Sequence, residues 1–252
     1  MTDASNARFN TEALSWDTNP DVQRATALAH AAYLARLPSD PAVLSTYDVL
    51  DLGCGTGLLS LALAPAVRSV TAVDPAEGMI DALRAKLASP PPPPPEGGKG
   101  LPVANVSPVC ALLQDPDDPR LAVDPVTRSP RPGRRFDLAV SHLVLHHVPD
   151  LRSFFRTVHG CLAPGGRLMV TDFENFGPEA RKFHPESKMD GVERHGLRRD
   201  EMQALLEEAG FADVSVETAF ALEKKVETEP GSGVMGPSMV FPFLICQGKK
   251  TG

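Results

Sequence analysis

A glycine-rich turn near residue 50 constrains the fold of this chain more than any other feature. Residues 48–57 read as a short apolar strand that ends in glycines at three alternate positions, and a helical run follows over residues 58–64. Glycine has no Cβ atom, so such a turn can fold tightly and bring its backbone amides and carbonyls against a ligand. The N-terminal end of the following helix points at the same place. A strand, a glycine turn and a helix in this order predict a nucleotide-like cofactor site at the carboxyl edge of a parallel sheet.

The spacing of the glycines indicates which cofactor the turn accepts. A dinucleotide-binding turn has the spacing G-x-G-x-x-G and holds a pyrophosphate. Here Gly57 comes one residue early, and Asp51 precedes the first glycine, where a carboxylate would repel a pyrophosphate but suit a cationic ligand. The pattern Asp-x-Gly-x-Gly-x-Gly resembles the first motif of class I S-adenosylmethionine-dependent methyltransferases. The resemblance implies that the methionine part of this cofactor, which carries an ammonium and a sulfonium group, faces Asp51, Gly53, Cys54, Gly55 and Gly57.

A second acidic residue ends the next predicted strand. Asp74 follows an apolar run roughly 20 residues beyond the turn, at the offset of a ribose-binding acid. An ionised carboxylate can accept two hydrogen bonds from the ribose hydroxyls. Alternatively, Asp74 caps a helix over residues 76–88, with Pro75 at its first position, and the two roles can coexist. The resemblance further implies that the residues after this acid, Pro75 and Met79, pack on the adenine, although Met79 also fits a plain core position.

Composition limits the classes of function. The chain has 252 residues and is 42% hydrophobic, which is enough for a single α/β domain over residues 1–252. No apolar run is long enough to span a membrane, and residues 1–10 lack the pattern of a secretory signal. The net charge of −7 argues against a nucleic-acid-binding surface. The four cysteines form no Cys-x-x-Cys pair, so we expect reduced thiols in a cytoplasmic protein and no metal site.

The N-terminal residues 1–40 read as a helical cap. A helix is predicted from Pro20 to about residue 37, because Asp17, Thr18 or Asn19 can cap it and proline suits its first turn. The upstream segment with Phe9 and Trp16 resembles the one that covers the cofactor in many small-molecule methyltransferases. The resemblance makes these two aromatics candidates for substrate contact. A hydrophobic staple that packs the helix onto the domain is an equal alternative.

Two insertions are predicted in the middle of the chain. An uninterrupted proline run makes residues 89–108 an exposed, flexible segment that leaves the fold intact. A strand is predicted over residues 109–114. By the resemblance, Asp115 at its end receives the adenine amino group, although a turn role beside Pro116 is equally plausible. The second insertion, residues 117–135, carries a basic cluster, which forms either a solvated loop or a site for a phosphate or acidic partner: Arg128, Arg131, Arg134 and Arg135.

Two further motifs surround the predicted central strand, residues 136–141. This strand leads into a segment with the adjacent pair His146 and His147, and a Leu-x-Pro-Gly-Gly turn at residues 162–166 precedes the next strand. Both motifs resemble those of methyltransferases related to ubiquinone and menaquinone biosynthesis. The candidate contributions from this part of the chain are Ser141 to the cofactor and His142 to the substrate.

The C-terminal third is predicted to carry the substrate-specific elements. Residues 173–196 are polar and lose clear periodicity, and the resemblance implies that Glu174 and His195 belong to the substrate pocket. A helix over residues 200–209 and two antiparallel strands complete the chain. The resemblance implies a Rossmann-like, doubly wound α/β fold with helices on both faces. Its seven-stranded, mostly parallel sheet would have the order 3-2-1-4-5-7-6 with one antiparallel strand.

The implied chemistry is an in-line displacement at the sulfonium methyl group. Holding the nucleophile about 3 Å away in a pocket that excludes water supplies much of the rate. A base is needed only when the nucleophile carries a proton of high pKa, and histidine is then the natural candidate. We therefore nominate His146, His147 and His195, each of which could instead serve to hold or line a loop.

We expect methyl transfer to a small-molecule acceptor, since no basic face or long extra domain indicates a macromolecule. A protein methyltransferase, an NAD(P)-dependent oxidoreductase and a non-catalytic cofactor-binding scaffold are the alternatives. The sequence leaves the acceptor and the oligomeric state open.

Overall fold

The computed structural model describes residues 3–89 and 103–252. In these ranges the α-helices are α1 (Asp3–Trp16), α2 (Pro20–Leu34), α3 (Pro41–Leu44), α4 (Leu58–Leu63), α5 (Glu77–Ala88), α6 (Leu151–Cys161) and α7 (Arg199–Glu208). The β-strands are β1 (Asp48–Leu52), β2 (Ser69–Asp74), β3 (Val106–Cys110), β4 (Phe136–His142), β5 (Leu162–Phe173), β6 (Phe211–Glu227) and β7 (Met235–Lys250).

The strands form a single seven-stranded sheet in the order β3-β2-β1-β4-β5-β7-β6, which confirms the expected topology. Strands β1 to β5 pair in parallel, and β7 runs antiparallel to both β5 and β6. Strand β1 lies at the centre, with Asp51 beside Ala72 of β2 and Val140 of β4. All five residues of β1 are buried, as expected for a strand covered on both faces. The glycine turn therefore leaves the middle of the sheet, where the strand order reverses.

The predicted helix starts are confirmed, with small changes at the ends. Helix α2 begins at Pro20, and the Asn19 side chain accepts a hydrogen bond from the Asp21 amide at 3.0 Å. It ends at Leu34, three residues before the expected end, because the chain turns there. Helix α5 begins at Glu77, one residue later than predicted.

The prediction for the third strand was wrong in its position. The strand was expected over residues 109–114, whereas β3 spans Val106–Cys110. Pro108 lies within it, paired beside Ala72, and a proline is tolerated there because β3 is an edge strand. The earlier strand leaves residues 111–115 in an irregular segment after the sheet. Most of the predicted insertion at 89–108, including its proline run, lies outside the described residues.

The arginines of residues 117–135 pair within the protein. Arg134 is buried, lies 3.3 Å from the Asp48 carboxylate, and donates hydrogen bonds to Thr71 and Ser69. Arg131 also pairs with Asp48, and these contacts help to hold the pKa of Asp48 below its ordinary value although burial opposes the shift. These two arginines therefore anchor the segment to the start of β1, at the sheet edge opposite the glycine turn.

The N-terminal helix lies across the start of α5. The Gly78 amide donates a hydrogen bond to the Asn10 side chain at 2.8 Å. A Cβ atom at Gly78 would lie 2.8 Å from the Asn10 carbonyl oxygen, so only glycine permits this approach. Ala13 of α1 packs with Met79 and Ala76 in a small apolar cluster. Helix α1 is thereby placed above the glycine turn. Among residues 3–89 and 103–252, none of the helices has the length and apolar character needed to cross a bilayer.

Candidate active site

The glycine turn is held against the neighbouring strand by its own backbone. The amides of Gly53 and Cys54 both donate to the Val73 carbonyl, at 2.8 and 3.1 Å. The φ angles of Gly53 and Gly57 are +71° and +82°, a region that glycine adopts without strain. A Cβ atom at Gly53 would lie 2.3 Å from the Val144 side chain, and one at Gly57 would lie 2.4 Å from Leu83. Both glycines are therefore required by backbone conformation and by close packing.

Asp51 is a buried carboxyl at the floor of the turn. It is 1% exposed, and the Ser60 hydroxyl donates a hydrogen bond to it at 2.6 Å. Burial raises the pKa of Asp51 to about 7, against the Ser60 hydrogen bond, and the nearby Asp74 carboxylate adds to the rise. No cation pairs with Asp51 among the described residues. A positively charged ligand beside Asp51 would favour its ionised form.

Asp74 connects the turn to the start of α5. One of its oxygens accepts from the Gly55 amide at 2.9 Å and the other accepts from the Ala76 amide at 2.8 Å. Asp74 thus bonds the residue before α5 but does not cap the helix as predicted, because Ala76 is the N-cap residue and Pro75 precedes the helix. The ribose contact stays a prediction. Burial raises the pKa of Asp74 to about 6, against these two hydrogen bonds. Asp51 and Asp74 thus form a buried acidic pair at the cofactor end.

A cavity runs from the glycine turn to a group of histidines beyond the ends of β4 and β5. Eleven of the residues nominated from the sequence line this cavity: Phe9, Trp16, Asp51, Gly53, Cys54, Gly55, Asp74, Met79, His142, His146 and His147. Burial raises the pKa of the Cys54 thiol well above its ordinary value, so the thiol is neutral. The cavity joins the predicted cofactor residues to the predicted substrate residues.

The other nominated residues lie outside the cavity lining. Gly57 and Pro75 flank the turn, and buried Ser141 donates its hydroxyl proton to the Leu52 carbonyl at 2.8 Å. Asp115 is exposed and accepts a hydrogen bond from the Asp117 amide, which is the turn role that the sequence left open. The remaining two are half-buried: Glu174, whose carboxylate accepts two hydrogen bonds from Arg199, and His195.

We call His146, His147 and His184 the histidine cluster. Their ring centroids lie 4.0 Å apart for the first pair, 4.9 Å between His146 and His184, and 5.9 Å between His147 and His184. His146 Nδ1 lies 2.9 Å from both oxygens of the buried carboxylate of Asp172. His147 Nδ1 lies 2.6 Å from the Gly191 carbonyl oxygen. All three rings line the cavity.

The charge state of the cluster follows from its burial. Asp172 also accepts hydrogen bonds from the amides of His146 and Phe173. Burial alone would raise the pKa of Asp172, but the contacts with His146 keep it below its ordinary value. Burial lowers the pKa of His147 to about 3, and it lowers the pKa of His184 still further. The cluster therefore presents neutral imidazoles of His147 and His184 backed by one ionised carboxylate.

His142 belongs to a separate hydrogen-bonded chain at the same end of the cavity. Its Nδ1 lies 2.8 Å from the Thr171 hydroxyl, which in turn lies 2.8 Å from the Tyr33 hydroxyl. Tyr33 donates to the Ser141 carbonyl at 2.8 Å. Burial lowers the pKa of His142 to about 4, so this ring is also neutral at pH 7.

Helix α1 closes the cavity from above. The Phe9 ring packs edge-on against Trp16 at 5.8 Å and against His147 at 5.3 Å. Asp17, directly after this helix, pairs with Lys86 of α5 and accepts a hydrogen bond from the Thr56 hydroxyl in the glycine turn. The N-terminal segment therefore contacts both ends of the cavity, and its covering of the cofactor stays a prediction.

Two residues of the histidine cluster region were missed by the sequence analysis. His184 lies in the segment without periodicity, just after a short 3-10 helix, Pro178–Phe183, so no spacing pattern marked it. Asp172 comes at the end of the apolar run of β5, the same position that Asp51 and Asp74 have in their strands. This shared position was a sequence signal that could have identified Asp172. A buried carboxylate at a strand's carboxyl end faces the same edge of the sheet as the cofactor.

Comparison with known proteins agrees with this geometry. A family model described as a methyltransferase domain matches residues 21–216, more than half of the chain. An uncharacterized methyltransferase of Mycobacterium tuberculosis is 30% identical over 130 residues, which are 52% of this chain and 52% of that protein. A ubiquinone biosynthesis O-methyltransferase of a Methylobacterium species is 32% identical over 131 residues, 52% of this chain and 43% of the relative. The chain thus spans about half the length of the curated relatives it matches.

A solved structure shows the same fold. The crystal structure of an S-adenosylmethionine-dependent methyltransferase of Thermotoga maritima, described as a possible histamine N-methyltransferase, has a TM-score of 0.60 at 17% identity. The match covers 96% of this chain and 98% of that one. The family match leaves no support for the alternative of an NAD(P)-dependent oxidoreductase. This chain therefore belongs to the methyltransferase-domain family.

Proposed function

We propose that the protein transfers the sulfonium methyl group of S-adenosylmethionine to a small-molecule acceptor that occupies the histidine-lined end of the cavity. The observation that carries this proposal is the continuity of the cavity. The acidic pair Asp51 and Asp74 lines one end, and the histidine cluster lines the other. A cofactor with its sulfonium group beside the glycine turn would direct its methyl group toward the cluster. Helix α1 covers this path, which favours a small acceptor over a folded protein surface.

The reaction removes charge from the cofactor. The acceptor's lone pair forms the new bond to the methyl carbon, the carbon–sulfur bond breaks, and its electron pair returns to sulfur. A pocket that excludes water suits such a step, because the nucleophile is held in line and is not shielded by its hydration shell. Apolar side chains of Val22, Leu143, Phe183 and Leu222 also line the acceptor end, so the acceptor is expected to be largely apolar.

His146 is the strongest candidate for the group that takes a proton from the acceptor. Its Nδ1 is fixed by Asp172, which orients the ring, while its Nε2 is buried and has no hydrogen-bond partner in the described part of the chain. His147 is a weaker candidate, since its pKa of about 3 makes it a poor base. The ubiquinone-related relative is an O-methyltransferase, which supports a hydroxyl as the acceptor group. We expect the reaction to take place in the cytoplasm.

The test is incubation of the protein with methyl-labelled cofactor and a metabolite extract, followed by separation of small molecules from protein. We expect label in one or a few small molecules, and none with an Asp51→Asn variant. Label that appears only in extract proteins would overturn the small-molecule proposal in favour of a protein methyltransferase. Cofactor binding without any labelled product, in extracts of several sources, would instead support a non-catalytic scaffold.

A further inference from the structure

Three histidines from two distant segments converge at the acceptor end of the cavity. His146 and His147 lie in the 3-10 turn after β4, and His184 lies beyond β5. One ligand nitrogen of each ring can be chosen so that all three lie within 4.8 Å of one another. Packed imidazoles are common in protein cores, but these rings line a cavity and are therefore accessible to a ligand. The sequence alone predicted no metal site.

The nitrogens that face the cavity are free to bind a ligand. Asp172 fixes Nδ1 of His146, and the Gly191 carbonyl accepts from Nδ1 of His147, so Nε2 remains available on both rings. His146 is 2% exposed, and its Nε2 has no hydrogen-bond partner among residues 3–89 and 103–252. A buried polar atom without a partner is costly, and it indicates a missing partner at this position.

We infer that His146, His147 and His184 bind one divalent transition-metal ion of the zinc or cobalt class, with a fourth coordination position open to the cavity. Three imidazole ligands and one open position are the arrangement of a catalytic rather than a structural site. Metal–nitrogen bonds of about 2.0–2.1 Å in tetrahedral geometry would bring the three nitrogens to roughly 3.3 Å from one another. The rings must therefore close by about 1–1.5 Å. His184 can supply much of this movement, since it is the least buried of the three and lies in an irregular segment.

The surroundings contain groups that favour and groups that oppose an ion. The contact between Asp172 and His146 Nδ1 is the carboxylate–histidine arrangement that orients metal ligands and makes them more basic. Arg8 and Lys224 line the same cavity, and their positive charges repel a bound cation. Asp172 lies in direct contact with the cluster, so we expect its effect to outweigh theirs.

The binding of an ion does not depend on the proposed function, but the role of its fourth position does. There the ion would hold the acceptor hydroxyl and lower its pKa, so that the proton passes to solvent before the oxygen attacks the methyl carbon. His146 Nε2 cannot bind an ion and accept a proton at the same time. The metal-loaded and metal-free proteins therefore differ in what removes the acceptor's proton.

The test is a titration of chelator-treated protein with Co²⁺, followed by visible absorption and by isothermal titration calorimetry. We expect one ion per chain and the intense visible bands of tetrahedral Co²⁺. His184→Phe keeps aromatic packing beside Phe183 but removes a ligand, and it should weaken binding by about 100-fold or more. Asp172→Asn should weaken it by about 10- to 100-fold. The matched control, His159→Phe on α6, removes a histidine outside the cavity lining and should bind Co²⁺ like the wild type.

Two results would overturn the inference: no stoichiometric binding of Co²⁺ or Zn²⁺, or equal affinity in wild type and His184→Phe when both variants melt at the same temperature. A separate assay of methyl transfer keeps this outcome distinct from the proposed function. Metal binding without any methylated small molecule would leave the site intact and refute the function. Methyl transfer to a small molecule by a protein that binds no ion would support the proposed function and refute the metal site.

Discussion

The buried acidic pair predicts that cofactor binding releases protons. In the ligand-free protein, burial raises the pKa of Asp51 to about 7 and that of Asp74 to about 6. In the predicted binding mode the cofactor places positive charge beside Asp51 and ribose hydroxyls beside Asp74, and both would favour the ionised carboxyls. Below the two pKa values, binding must therefore expel protons, and affinity falls as pH falls.

The magnitude follows from these values. If binding returns Asp51 from about 7 to its ordinary pKa of 3.8, the difference is about three units, or roughly 4 kcal/mol at 1.36 kcal/mol per unit. Affinity should fall about tenfold per pH unit from pH 7 to 6, and more steeply below pH 6 as Asp74 also protonates. At pH 6.5 the two carboxyls together should release about one proton per cofactor bound.

The assay is isothermal titration calorimetry between pH 5.5 and 8 in buffers of different ionisation enthalpy, which counts the released protons directly. Asp51→Asn keeps the size of the side chain but cannot ionise, so its affinity should be weak and almost independent of pH between 6 and 7.5. Release of no proton at pH 6.5, or an unchanged pH profile in Asp51→Asn, would refute the reasoning.

The raised pKa of Asp51 affects the stability of the ligand-free protein in the opposite direction to its effect on cofactor affinity: stability falls as pH rises. The folded-state pKa of Asp51 lies above its unfolded value, so the stabilisation from the protonated carboxyl is complete below about pH 4 and is lost as pH rises through about 7. Between pH 7 and 8, Asp51→Asn should therefore be more stable than the wild type, by up to roughly 4 kcal/mol. A variant that binds cofactor worse but unfolds at higher urea concentration would show that the acid serves binding at the expense of stability.

Three further predictions concern other parts of the molecule. Gly78→Ala places a Cβ atom 2.8 Å from the Asn10 carbonyl oxygen, so it should displace α1 and weaken cofactor binding several-fold in calorimetry; unchanged affinity would show that α1 does not cover the site. His195→Ala should lower kcat less than threefold, because its ring lies outside the cavity lining; a loss of about 100-fold would restore its candidacy as the base. Arg134→Met removes a buried partner of Asp48 and should cost about 3 kcal/mol in urea denaturation while cofactor affinity stays unchanged; a loss below about 1 kcal/mol would contradict its anchoring role.

The cofactor end could be predicted from sequence because each of its signals is local. The alternation of glycines, the acid before them and the acid at the end of the next strand are all readable within residues 48–74. The positions of these side chains depend on the strand and the turn that the same residues form, so no contact with a distant segment is needed to predict them. The strand order came from resemblance to a family rather than from periodicity, and it was confirmed.

The acceptor end could be predicted only in part because its contacts join distant segments. His184 reaches His146 from beyond β5, and no spacing rule relates the two positions. The arginines of residues 117–135 looked like a solvated or ligand-binding cluster because Asp48, their buried partner, lies far earlier in the chain. The third strand begins at Val106, earlier than predicted, and it includes Pro108, which is tolerated because β3 lies at the edge of the sheet.

The two ends of the cavity are matched to the charge change of the reaction. In the proposed binding mode the sulfonium charge of the cofactor lies near the acidic pair, and the product lacks this charge but keeps the ammonium group. Asp51 would then lose one of two favourable charges at the moment of transfer, so its pKa would move part of the way back toward the value of about 7 that burial imposes. Uptake of a proton at the cofactor end would then weaken the hold on the product, whose sulfur is neutral. The carboxyl that helps to recruit the cationic cofactor near pH 7 thereby also favours departure of the spent one, and both effects come from one buried side chain at the end of β1.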